Sequence, residues 1–208
     1  MLFRSRSLAD ASAEDLTGDH QVFGGRAEEM PAAFRERFDV AFSVAAFEHM
    51  DRLPLTLDAA YDALVPGGCL FSLFSPIWSA HDGHHLPNIR DRSGREFSFA
   101  SSPIPPWGHL LARPLELFAY LLQHTDRETA ADMVYHVYHS GQINRLFTED
   151  YLAYCASSRF AVERADPVFP LPPPAEIQTE LERRYPGRRQ FANNGLLLIL
   201  RKGAKDRP

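Results

Sequence analysis

Apolar residues follow two different periods along this chain. From Phe38 to Phe47, FDVAFSVAAF, the run is broken only by Asp39 and Ser43, the pattern of a strand buried on both faces of a parallel sheet. Leu53, Leu57, Ala60, Tyr61 and Leu64 then recur at helical spacing,. Pro66-Gly67-Gly68 ends that helix in a turn, and CLFSLF, Cys69 to Phe74, is the next apolar strand,. Strand, helix, turn, strand predicts a right-handed βαβ unit whose two strands lie side by side.

Around this unit the signals are shorter. Residues 9–17 read as the end of a helix stopped by Gly18,. Gln21 to Phe23 reads as a short strand closed by Gly24-Gly25, and 28–37 as a charged helical or irregular stretch. Residues 75–147 break the rhythm. The segment is rich in His, Pro, Ser and Arg, then carries helix patterns over 114–123 and 127–140. A connection this long is either a lid or specificity insertion, or an excursion covering a sheet edge. The α/β pattern returns with a helix from Thr148, the N-cap, to Ser157, and an alternating strand over 159–165,. A Pro-rich link over 167–174, a helix over 175–185 and the strand GLLLILRK over 195–202 follow, with a frayed tail from Gly203,. The expectation is a single α/β domain over 1–208 with 75–147 as an insertion or lid.

Composition narrows the class. Of 208 residues, 45% are hydrophobic and 24% charged, as in globular proteins,. The net charge of −5 lacks the basic field that nucleic-acid binding needs,. No apolar run reaches the roughly 18 residues of a membrane span, and MLFRSRSLADASAEDL holds no signal-peptide core,. Cys69 and Cys155 both lie in apolar segments and read as buried thiols rather than a disulfide, so a cytoplasmic protein is expected,.

The words FDVAFSVAAFEHM and LDAAYDALVPGGCLFSLFSPIW resemble the class I S-adenosylmethionine-dependent methyltransferases, in particular the type 11 group acting on small molecules and lipid precursors. The resemblance covers Gln21 to Phe74, and Asn144 to Lys202 by order of elements. It implies a Rossmann-like sheet in which the FD strand is the fourth and the strand after P-G-G the fifth, with a mostly helical insertion after the fifth. It also implies S-adenosyl-L-methionine as cofactor and methyl transfer to a small-molecule oxygen, nitrogen or carbon. The chain departs from the family in having no G-x-G, the Gly-rich loop on which such folds hold the methionine end of the cofactor,. No acidic residue in strand context stands ready for the ribose. The sheet is therefore expected to be N-terminally incomplete, beginning near the helix after the second strand. Truncation is the preferred account over a complete chain that has lost cofactor binding. An exposed central edge then calls for a homo-oligomer or a partner chain to cover it.

Site candidates follow from the resemblance and from residue chemistry. Ser43, Val44 and Phe47, at the carboxyl end of the FD strand, are placed beside the cofactor. Arg26, Ala27 and Glu28 occupy the adenine-binding stretch; the family usually carries Asp at the position of Arg26, and a donor-only guanidinium cannot accept from the adenine amine. Glu28 or a backbone carbonyl is the substitute. His49 is the acceptor's base by analogy, with a backbone-bonded helix-start histidine as the plain reading. The macrodipole alone accounts for Glu48. In SPIWSAHDGHHL, Trp78 and His81 face substrate and His84 or His85 acts as a base. The bland alternative is a polar loop. Its spacing matches no known zinc site, so no metal is expected, and a metal-dependent hydrolase is a third, weaker reading. Tyr135 and Tyr138, with His139, share a helix face that lines an acceptor pocket or simply packs. The rival to methyl transfer is a non-catalytic, methyltransferase-like interaction module.

Overall fold

A computed structural model describes residues 6–12 and 20–204. The elements, in chain order, are β1 (Arg6–Ser7), β2 (Phe23–Gly24), β3 (Phe38–Val44), α1 (Leu53–Ala63), β4 (Leu64–Phe74), β5 (Ile89–Arg90) and β6 (Glu96–Phe97). There follow α2 (Gly108–Leu111), α3 (Pro114–Leu121), α4 (Arg127–Tyr138), α5 (Thr148–Ser157), β7 (Ala161–Val168), α6 (Ala175–Arg184) and β8 (Gly195–Arg201).

The main sheet has four strands in the order β3-β4-β8-β7. β3 runs parallel to β4, from Val40 beside Cys69 to Val44 beside Leu73. β8 is antiparallel to both β4 and β7. The predicted βαβ unit is thus present, with its two strands adjacent. Pro66-Gly67-Gly68 does not precede the second strand, however; it lies inside β4. The register jumps from Phe38 opposite Leu64 to Val40 opposite Cys69, and Gly67 takes the left-handed backbone (φ 84) that glycine tolerates,.

One face of this sheet is packed and one is not. Leu70, Phe74, Leu196, Leu198 and Leu200 meet Leu53, Leu57 and Ala60 of α1 and Tyr151 and Cys155 of α5 in a continuous core. On the opposite face of β3, Val40, Phe42 and Val44 are exposed. The expectation of a strand buried on both faces is therefore corrected. Continuous hydrophobicity cannot tell a covered face from an open one; that depends on which other elements reach it.

The segment after β4 builds a second core with α6. Leu86, Trp107, Leu117, Met133, Leu181 and Phe191 are its buried centre. Trp107 locks it, its indole N–H donating to the Phe191 carbonyl at 3.0 Å. Three local expectations change. The described part of 9–17 is a 3-10 turn, Leu8–Asp10, after β1, and residues 13–19 lie outside the described residues. Residues 28–37 hold two 3-10 turns, Ala27–Glu29 and Ala32–Phe34. Thr148 is not the N-cap of α5: Phe147 is, and the Asp150 carboxylate accepts from its N–H at 2.9 Å,.

Candidate functional site

Two strand exits converge. Where β3 ends, Ala45 turns left-handed (φ 48) and its N–H donates to the Leu73 carbonyl at 2.9 Å, holding the exit against β4. The chain then makes a 3-10 turn, Phe47–His49. Asn144 clamps this turn from both sides. Its amide donates to the carbonyls of Phe47 at 2.7 Å and Met50 at 3.2 Å, its backbone N–H donates to the Glu48 carbonyl at 2.8 Å, and the Tyr151 hydroxyl donates to its Oδ1 at 2.8 Å. So held, Phe47 and Glu48 point inward and are buried, while His49 points out.

The exit of β4 folds back over the same place. Ile77 N–H donates to the Asn194 carbonyl and the Asn194 amide donates to Asp82, both at 2.8 Å. The turn is so tight that a Cβ on Gly83 would sit 2.2 Å from the Ile77 carbonyl oxygen. This fold-back ends at His85, itself left-handed (φ 47). The His85 ring meets His49 edge-to-face at 4.7 Å and lies against Phe99 at 5.9 Å. His49, His85, Pro87, Asn88, Phe99 and Gln142 line an open cleft of about 580 Å³.

The hydrogen bonding of His49 sets its chemistry. Its Nδ1 donates to the Gln142 carbonyl. A carbonyl only accepts, so Nδ1 carries the hydrogen and, in the neutral ring, Nε2 carries the lone pair. Nε2 lies 4.0 Å from Glu48 Oε1. The Glu48 carboxyl is fully buried and neither oxygen has a hydrogen-bond partner, so burial raises its pKa; the backbone around Glu48 and Ser75 and the neighbouring His49 pull weakly the other way,. Burial, and then the adjacent His49, lower the pKa of His85. The geometry is that of a base with a fixed tautomer, a second imidazole beside it, and a buried carboxyl beneath whose pKa burial raises.

The other sequence candidates scatter. His84 is buried beneath the loop, its Nδ1 accepting from Leu86 N–H at 3.2 Å, and burial drives its pKa down to about 3. Trp78 is buried in the second core, its carbonyl accepting from His109 Nε2 at 2.8 Å, and Arg145 lies over its ring at 5.6 Å. His81 faces Asp82 and Trp107. Tyr138 donates its hydroxyl to the Ala112 carbonyl at 2.8 Å while Tyr135 is exposed, and neither lines the cleft. Among the described residues no group of three or more His, Cys, Asp or Glu is placed to hold a metal ion.

On the cofactor side, Ser43 Oγ is buried without a partner at the end of β3, beside the open Val44. Arg26, Ala27 and Glu28 form the turn before Met30, with Arg26 Nε donating to Glu28 at 2.6 Å and lying 3.9 Å from Asp51 at the start of the α1 loop. Asn144, Gln142, Phe99 and the isolation of Glu48 were missed in the sequence. Only a partner far along the chain gives them meaning.

Residues 4–72 match the family model described as a methyltransferase domain. The match covers about a third of the chain. The match supports the class I assignment, and with it S-adenosylmethionine as the cofactor of the family. Among solved structures, the chain is similar to an S-adenosylmethionine-dependent methyltransferase from Mesorhizobium loti (16% identity, 89% of this chain, 72% of that one, TM-score 0.40). It is also similar to a putative methyltransferase from Bacillus halodurans (15%, 92% and 75%, 0.42) and a putative S-adenosylmethionine-dependent methyltransferase from Listeria monocytogenes (14%, 89% and 71%, 0.44). Likeness at these scores adds nothing to the assignment, which rests on the sequence match. No curated protein matches the chain.

At the exit of β3 the Ser43 hydroxyl is buried without a partner and Val44 is exposed, at the carboxyl end of the strand where ligands of open α/β sheets bind,. Glu28 is held in an ion pair with Arg26.

Proposed function

We propose that the protein transfers a methyl group from S-adenosylmethionine to a small-molecule oxygen, nitrogen or carbon held in the His49–His85 cleft. The reading is carried by one observation: the Gln142 carbonyl fixes the proton on His49 Nδ1 and leaves Nε2 free beside the cleft. When bound, S-adenosylmethionine would supply a methyl carbon activated by its cationic sulfur and leave as the neutral thioether; the acceptor would attack with a lone pair (oxygen, nitrogen) or a π electron pair (carbon), and His49 Nε2 would take the acceptor's proton. Ser43, Val44 and Phe47, and Glu28 from the turn before Met30, would hold the cofactor; His85 and Phe99 wall the acceptor, and the buried Glu48 stabilises a protonated His49 when it ionises. Arg26 and Ala27 shape the turn that presents Glu28. The protein acts in the cytoplasm, a setting in keeping with its two free cysteines,.

Titration calorimetry of the full chain with S-adenosylmethionine and with its demethylated product tests the reading. Saturable binding of both, lost in Val44→Asp, is expected. Absence of binding to either would sink it in favour of the non-catalytic interaction module.

A further inference from the structure

One wall of the His49–His85 cleft comes from the segment between β4 and α2. There β5 and β6 pair antiparallel, with Ile89 across from Phe97. Phe97 is buried in the second core and anchors the hairpin. The pairing brings Asn88, just before β5, beside the turn that follows β6. Ser98 and Ser101 pin this turn: Ser98 N–H donates to Ser101 Oγ at 3.1 Å and Ser101 N–H to the Ser98 carbonyl at 3.2 Å. Phe99, between them, keeps 43% of its surface exposed and lies against His85 at an interplanar angle of 26°. An apolar ring held in water on a pinned turn, at the rim of a cleft, is a platform for another flat ring.

The lining restricts what can lie on that platform. Of the described residues around the cleft, none carries a carboxylate, an ammonium or a guanidinium group. The Glu48 carboxyl is fully buried beneath His49 and does not face the cleft. A carboxylate or phosphate compound would enter with no cation to pair with, and an alkylammonium with no anion. A protonated amine also has no lone pair to offer a methyl donor. What remains is an uncharged molecule whose polar atoms meet Asn88, Gln142 and the two imidazoles. The proton must pass to an imidazole, and an aromatic hydroxyl, ionising near pH ~10 as tyrosine does, releases it far more readily than an aliphatic one. We infer that the acceptor is an uncharged phenol, its ring stacked on Phe99 and its hydroxyl donating to His49 Nε2, which makes Phe99 the residue that selects for it. The phenol oxygen forms the new bond to the methyl carbon, the carbon–sulfur pair stays with the departing thioether, and the hydroxyl proton goes to Nε2. This inference rests on the methyl-transfer reading of the cleft.

Titration calorimetry of the full chain at neutral pH, with and without S-adenosylhomocysteine, tests it with three probes: 2-naphthol, its saturated counterpart decahydro-2-naphthol, and 2-naphthoate. Saturable binding of 2-naphthol is expected, with the other two weaker by about tenfold. Phe99→Ala is expected to erase most of the preference for the aromatic alcohol over the saturated one, at an unchanged melting temperature, and Phe99→Trp to keep it. The probe comparison on the unaltered chain decides even if Phe99→Ala fails to fold. No binding of 2-naphthol in either condition, or binding no tighter than that of either counterpart, overturns the inference. The two readings fail separately. S-adenosylmethionine bound without any preference for 2-naphthol rejects the phenol and leaves methyl transfer standing. Phe99-dependent binding of 2-naphthol with no binding of S-adenosylmethionine rejects methyl transfer and supports the aromatic site alone.

Discussion

His49 and His85 meet edge-to-face with ring centroids 4.7 Å apart, although they leave the sheet from different strands. The contact exists because β3 and β4 are parallel neighbours, so both exits lie on the same end of the sheet. If His49 Nε2 is the base, His49→Ala lowers the rate of methyl transfer by about 10²–10⁴-fold while leaving cofactor binding and the melting temperature in place. His85→Ala is expected to lower it less, since His85 only walls and orients the ring. Steady-state assay of both variants checks this; full activity in His49→Ala rejects the assignment.

Glu48 gives a stability prediction of definite sign. Its folded pKa is raised above the unfolded value because its carboxyl is buried without a partner. Its contribution is therefore complete below pH ~4.5, its ordinary value,, and declines as pH rises through the folded value. Glu48→Gln keeps the shape and removes the ionisation, so at pH 8 the variant should unfold at equal or higher denaturant than the parent. A marked loss of stability at pH 8 would show that the ionised carboxylate has a partner in the fold.

Two buried imidazoles predict the opposite slope. Burial lowers His84 to about 3 and His109 to about 4. The unfolded chain takes up these protons near pH 6.5 and the folded chain does not, so stability is lost as pH falls from about 6.5 towards 4. Denaturant midpoints at pH 7 and 5 should differ, and His84→Gln should flatten that difference. An unchanged slope in the variant would contradict the burial of His84.

Lys202 is almost fully buried, and its ammonium donates to the Leu64 carbonyl at 2.7 Å and the Tyr61 carbonyl at 2.9 Å, with Glu36 at 3.7 Å. It thereby caps the end of α1 with a positive charge from the residue just after β8,. Lys202→Met keeps the apolar stem and strands these carbonyls, at a cost of about 1–3 kcal/mol by thermal or chemical unfolding. An unaltered midpoint would mean that water replaces the ammonium.

Part of the fold was legible along the chain. FDVAFSVAAF and CLFSLF, flanking a helical repeat, read as neighbouring strands around a crossover helix, and the structure has them parallel, with Val40 to Val44 beside Cys69 to Leu73. The candidate site was legible only by half. His49 and His85 stand out as residue types at strand exits, whereas Gln142 and Asn144 are ordinary polar residues whose backbone carbonyl and side-chain amide matter only where the chain returns to the Phe47–His49 turn. His84 is next to His85 in sequence and identical in chemistry, yet one is buried beneath the loop and the other lines the cleft.

Sequence by itself determined the alternation of strands and helices, because hydrophobic period is a local property of side chains spaced along a backbone. It also set the match to a methyltransferase domain over residues 4–72. Only the tertiary structure decided which face of β3 is covered, which histidine keeps a free lone pair, and where Lys202 finds its acceptors. Those outcomes depend on burial and on hydrogen bonds between residues far apart in the chain, and neither exists until the elements have packed.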